Sequence, residues 1–115
     1  MVASYFHDLP VLISGYGFDM LYAGPREALL HAIVRQNLGA THLIIGRDHA
    51  GIGNFYGEFE AQEIFDKWHD VSELQIQIFK ADHAAYSKKL EKVVMLNEVD
   101  NHQAVDFVTL SGTKL

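Results

Sequence analysis

Apolar and polar positions along this chain switch between two periods, and the switches mark its elements. Val11-Leu12-Ile13 is a short apolar run that stops at Ser14-Gly15-Tyr16-Gly17, which reads as a buried strand running into a loop that continues to Gly24. Pro25 suits the first position of a helix, and Glu27 complements its N-terminal dipole. Leu30, Ile33, Val34 and Leu38 recur at helical spacing before Gly39, so a helix is predicted over about 25–38. Thr41-His42-Leu43-Ile44-Ile45 is the next predicted strand, running into Gly46-Arg47-Asp48-His49-Ala50-Gly51-Ile52-Gly53.

Beyond a connector rich in glycine and aromatics, Ala61, Ile64, Phe65 and Trp68 repeat at i, i+3, i+4 and i+7, the stripe of a short amphipathic helix. Leu74, Ile76 and Ile78 alternate with Gln75 and Gln77, the period-2 pattern of a strand with one wet face. Ala84-Ala85-Tyr86 and Val93-Val94-Met95-Leu96 flank a polar tip carrying Lys88, Lys89 and Lys92, which predicts a hairpin. Residues 97–103 read as polar loop and Phe107-Val108-Thr109-Leu110 as a last strand. Ser111-Gly112-Thr113 resembles a helix N-cap. The β-α-β-α-β order predicts an open α/β sheet. No internal repeat or linker divides the chain, so residues 1–115 read as a single domain.

Composition narrows the function. The 49% hydrophobic and 21% charged residues are those of a globular protein rather than a disordered one. A formal net charge of −6, with nine scattered Lys and Arg, argues against nucleic acid as a partner. The absence of cysteine removes disulfides, thiolate catalysis and Cys-based zinc sites. Neither a signal peptide nor a membrane-length apolar segment is visible, so a cytoplasmic location is the expectation. The seven histidines include no His-x-x-x-His or His-Glu-x-x-His pair, and no metal site is expected. His31 reads as a packed or boundary histidine, and His69 and His102 as solvated ones.

Ligands of open α/β sheets bind beyond the carboxyl ends of the strands, and two glycine-rich loops, 14–24 and 46–53, lie at such ends here. Backbone N–H groups in such a loop can converge on an anion. Arg47 adds a fixed charge and forked donors suited to phosphate or sulfate. Asp48 could accept from a ribose or orient Arg47, and His49 could donate to an anionic oxygen. The competing reading is a turn with an Arg–Asp surface pair. Phe55, Tyr56 and Phe59 could stack on a base or pack across the connector. Generic motifs fail: Gly15-x-Gly17 has Met20, and Gly51-x-Gly53 has Tyr56, where a dinucleotide fingerprint needs its third glycine, and no Walker A loop occurs.

Three segments resemble the ATP sulfurylase (sulfate adenylyltransferase) family: Gly15-Tyr16-Gly17-Phe18-Asp19-Met20-Leu21-Tyr22-Ala23-Gly24-Pro25-Arg26-Glu27-Ala28, Thr41 through Gly51, and Leu110-Ser111-Gly112-Thr113-Lys114. The resemblance covers roughly residues 10–115. It implies the second half of a catalytic domain that makes adenosine 5'-phosphosulfate and pyrophosphate from ATP and sulfate. There a sulfate oxygen attacks the α-phosphorus in line, so catalysis depends on positioning and on stabilising spreading negative charge. Residue by residue, the resemblance places Gly46, Arg47, Asp48 and His49 against ATP, the Ala50 backbone N–H against sulfate, and Met95 and Leu96 beside adenine. Arg26 and Glu27 take supporting roles. ATP (with Mg) and sulfate are then the expected ligands, with no tightly bound cofactor.

The departures are equally specific. The family's Gln-Thr-Arg-Asn-Pro segment and its His-x-x-His pair do not occur in this sequence, so it carries no catalytic residue by this resemblance. The implied fold is a partial doubly wound, Rossmann-like adenylyltransferase sheet of order 3-2-1-4-5. Its central first two strands are missing, residues 11–14 form the far edge, and a β-hairpin lies near the C-terminus. Open strand edges of that kind drive pairing with another chain. The expectation is therefore a homo-oligomer, or a complementary sulfurylase half, closing the gap. The alternatives are a non-catalytic nucleotide- or anion-binding module and an oligomeric remnant without activity.

Overall fold

The computed structural model describes residues 8–67 and 73–109 and shows a mixed α/β architecture. Helix α1 spans Pro25–Asn37, strand β1 His42–Ile45, helix α2 Glu60–Lys67 and strand β2 Gln77–Lys80. Strands β3 (Ala84–Ser87), β4 (Lys92–Met95) and β5 (Phe107–Val108) follow, with single 3-10 turns at Leu96–Glu98 and Ala104–Asp106. No helix among the described residues is long and apolar enough to cross a membrane.

Pro25 opens α1 after Gly24, whose φ of 51° and ψ of −117° only glycine adopts readily. A Cβ there would also sit 2.6 Å from the Tyr56 ring. Gly39, at φ 91°, turns the chain left-handed after the helix, and the Ala40 N–H returns to the Arg35 carbonyl at 2.9 Å. Strands β1 and β2 pair in parallel, His42 opposite Gln77 through Ile45 opposite Lys80. Glutamines from both helices hold this pair. Gln36 Oε1 accepts from the amides of Gln75 (2.6 Å) and Ile76 (3.0 Å) at its entry. The buried Gln62 Nε2 donates to the carbonyls of Ile45 (2.9 Å) and Ala81 (2.7 Å) at its exit. The first contact explains why the strand predicted from Leu74 begins only at Gln77: two amides go to a side chain instead of a ladder. The core is small, Ala28, Ile45 and Ala61 with Leu43, Phe65 and Ile78 packed against it.

The predicted hairpin forms as β3 and β4, Ala84 opposite Met95 and Ser87 opposite Lys92, and β5 adds to β3 antiparallel. These three strands make a sheet separate from the parallel pair. The strand expected at residues 11–13 does not form. Val11, Leu12 and Ile13 lie exposed, Leu12 at 90%, because no neighbouring strand among the described residues offers them a ladder. His102 is not merely solvated, since its Nε2 meets the hydroxyl of buried Ser87 at 2.9 Å. Trp68, His69, Leu110 and the N-cap at 111–113 lie outside the described residues.

Candidate functional site

Loop 46–53 begins where the parallel pair ends, with Ile45 fully buried beneath it. Asp48 and Ala50 both take left-handed backbone, φ 52° and 55°. Alanine in that region costs on the order of 1 kcal/mol, so its surroundings must hold it there. They do so through the Gly24 N–H, which donates to the Ala50 carbonyl at 2.9 Å and so ties the two glycine-rich loops together. The Asp48 amide donates to Glu58 O (2.8 Å), and the Gly51 amide turns back to Asp48 O (3.1 Å). The amides of Arg47, His49 and Ala50 have no hydrogen-bond partner among the described residues. Of these five amides, two serve the loop's own folding and three are uncommitted.

Arg47 is exposed, with its Nε 3.2 Å from Asp48 Oδ2 and its Nη1 3.5 Å from Glu58 Oε1. The Arg–Asp surface pair of the competing reading is thus present. Exposed pairs of this kind contribute ~0–1 kcal/mol, so an anion can draw Arg47 away at little cost.

His49 faces inward instead. Its Nε2 lies 3.0 Å from Nδ1 of His31 on α1, whose Nε2 is 3.6 Å from Glu27 Oε1. Burial would raise the Glu27 pKa, but the amides of Leu21 and Ala23, each 2.9 Å from its carboxylate, together with His31 hold it below the usual carboxylate range. Both histidines are held below the ordinary imidazole value. Burial is the first cause in each; for His31 the Arg35 charge adds to it, and for His49 the charges of His31 and Arg35 do, against the opposing pull of Glu27. Tyr16 packs edge-on against His31 at 5.4 Å, with the Arg35 guanidinium 4.2 Å over the tyrosine ring. Tyr16 Oη and Arg35 Nη1 are buried without a hydrogen-bond partner among the described residues.

Met95 ends β4 and Leu96 opens the 3-10 turn that follows, the Leu96 amide donating to His83 O at 2.8 Å. His83 Nε2 lies 3.6 Å from Glu58 Oε2, so Glu58 connects the hairpin to Arg47 and to the Asp48 amide. Beside Leu96, Phe59, Gln62, Lys80, Asp82 and Asn97 line an open hollow of about 240 Å³. The structure therefore brings Gly46 through Ala50 together as one loop, and among the described residues Leu96 is linked to it through His83 and Glu58. The sequence reading passed over Glu58, Gln62 and the pairing of His31 with His49. The one local signal was the i,i+4 spacing of Glu27 and His31 on α1.

These features define a mixed α/β chain with a partly uncommitted glycine-rich loop beyond the ends of two parallel strands. The family model for ATP-sulfurylase matches residues 1–115, and the chain belongs to that family. It is 61% identical over 115 residues to a sulfate adenylyltransferase of Alcanivorax borkumensis and 58% identical over the same length to one of Allochromatium vinosum. A sulfate adenylyltransferase of Carboxydothermus hydrogenoformans is 53% identical over 96 residues, 84% of this chain and 25% of that protein. All of this chain aligns with the first two, but it spans only 29% of their length.

Proposed function

We propose that this chain is the part of a sulfate adenylyltransferase that holds ATP and sulfate through residues 46–50, and that alone it binds without turning over. The observation that carries this reading is the set of amides at Arg47, His49 and Ala50 left uncommitted among the described residues, beside an Arg whose partners among them are exposed carboxylates. Such a loop can surround an anion with backbone donors while Arg47 leaves Asp48 for a phosphate or sulfate oxygen. Turnover requires an Arg for the attacking sulfate and histidines for the developing charge, and the sequence contains neither the Gln-Thr-Arg-Asn-Pro segment nor a His-x-x-His pair. A second polypeptide is the proposed source of both.

Calorimetric titration of the chain with ATP, adenosine 5'-phosphosulfate and sulfate tests this. Binding is expected, and Arg47→Ala should weaken it by ~1.5–3 kcal/mol, the scale of a charge-assisted hydrogen bond. Three flat traces, or an Arg47→Ala dissociation constant unchanged from wild type, reduce the loop to a turn with a surface pair. The 3.2 Å Arg47–Asp48 contact favours that second reading. ATP–sulfate turnover should be absent until a complementary sulfurylase half is added.

A further inference from the structure

The surroundings of His49 decide which of its nitrogens can donate to an anion. The Glu27 carboxylate is ionised and buried, fixed by the Leu21 and Ala23 amides. His31 Nε2 faces it at 3.6 Å, so the favourable tautomer of neutral His31 carries its proton on Nε2. The opposite tautomer would aim a lone pair at a carboxylate in a dry site. His31 Nδ1 is then an acceptor, and the 3.0 Å contact to His49 Nε2 closes only if His49 donates from Nε2. Neutral His49 is left with a bare lone pair at Nδ1, an atom with no partner among the described residues, on a side chain that is only partly buried.

We propose that His31 is a positioning residue that fixes the proton of neutral His49 on Nε2, so that His49 holds an anion through Nδ1 only after taking up a proton there. This rests on the reading of residues 46–50 as an anion site. The proton comes from solvent and no covalent bond changes. The charge created on His49 is stabilised by the bound anion and, relayed through the His31 hydrogen bond, by Glu27. The groups facing the pair are Glu27 and Arg35 from α1 and Tyr16 from loop 14–24; Arg47 and Asp48 flank His49 in the chain but pair with each other, and Arg47 with Glu58 of the connector. Arg35 opposes protonation and Glu27 favours it. Free His49 therefore stays neutral at pH 7, and an arriving anion changes its state.

Two measurements on the 115-residue chain test this. The first is an imidazole nitrogen NMR spectrum of the free protein at neutral pH. It should show a coupling across the hydrogen bond between His49 Nε2 and His31 Nδ1, with the proton directly bonded to His49 Nε2. A proton on His31 Nδ1, or no coupling, overturns the assignment. The second is titration with inorganic sulfate, whose own charge is constant, from about pH 5 to 8, spanning the ordinary imidazole range. Affinity should fall as pH rises above the free His49 titration, by up to about tenfold per pH unit, the limit for one linked proton. His31→Gln can still accept from His49 and donate to Glu27, and should keep that slope. His31→Leu lets His49 present a neutral N–H and should flatten it, which a purely structural role of His31 would not do. Sulfate binding equally well across the range overturns this proposal and leaves the proposed function standing. Sulfate failing to bind while the coupling is present overturns the proton-uptake step, and the proposed function falls with it only if ATP and adenosine 5'-phosphosulfate also fail to bind. Should His31→Leu fail to fold, the coupling and the slopes of wild type and His31→Gln decide the matter.

Discussion

Glu27 sits in the first turn of α1, where a carboxylate ordinarily faces water and the helix dipole. Here it is 2% exposed and its two oxygens reach back to the amides of Leu21 and Ala23. It therefore stabilises the loop before the helix more than the helix itself. Its pKa lies below the ordinary value, so the folded state binds this proton less readily than the unfolded one. That contribution is complete above the unfolded carboxylate value, about pH 4.3, and is lost as pH falls through the lower folded value. Glu27→Gln should cost about 1.5–3 kcal/mol at neutral pH, the range for hydrogen bonds to a charged group. It should also flatten the acid limb of a stability–pH curve measured by urea unfolding. An acid limb unchanged in the variant would show that other carboxylates set it. The sequence made Glu27 visible as a helix-start acid, but not its inward turn, because that depends on how loop 14–24 folds back over α1.

At the scale of elements, two glutamines do what added strands would do in a larger sheet. Gln62 holds the carbonyls of Ile45 and Ala81, and Gln36 holds the amides that precede β2. Gln62→Leu keeps the volume and removes both donors. It should lower stability by roughly 1–3 kcal/mol, the cost of leaving a buried carbonyl unsatisfied, read from the urea midpoint. Hydrogen exchange at the Ala81 amide should quicken in step, and unchanged exchange would mean that α2 packing alone holds the strand ends. Helix α1, strand β1 and the hairpin were legible because their signals are local: Pro25 and Gly39 at the helix ends, an apolar run before Gly46, and alternation around a lysine-rich tip. Residues 11–13 carried an equally apolar signal and form no strand, since a strand is completed by a neighbour and none pairs there among the described residues. The roles of Gln62 and Gln36 were not legible, as long-range side-chain bonds leave no periodic trace. The candidate loop was legible through Gly46-Arg47-Asp48-His49, while its commitments to Glu58 and His31 came only with the fold.

The whole molecule is less compact than its length allows. Its Cα radius of gyration is 16.2 Å, against about 13 Å for a compact domain of this size. Ile45 is the one large apolar side chain fully buried among the described residues, while Ile44 on the opposite face of β1 is 67% exposed and Phe55 78%. Only one edge of β1 is paired among them, to β2. Apolar area left in water on this scale favours association. Sedimentation of the isolated chain at tens of micromolar should show a species heavier than the 12.9 kDa monomer. Ile44→Lys should shift that species toward the monomer. A strict monomer at that concentration would rule out self-association as the way this surface is covered.

The bond from Gly24 to Ala50 has a mechanical side. The same glycine accepts from the Ala28 amide at 2.9 Å, so residue 50 is joined through one pivot to the opening turn of the long helix. A guest that tugs residue 50 by a fraction of an ångström strains that turn too, and the Ala28 resonance becomes a remote gauge of occupancy more than twenty positions away in the chain.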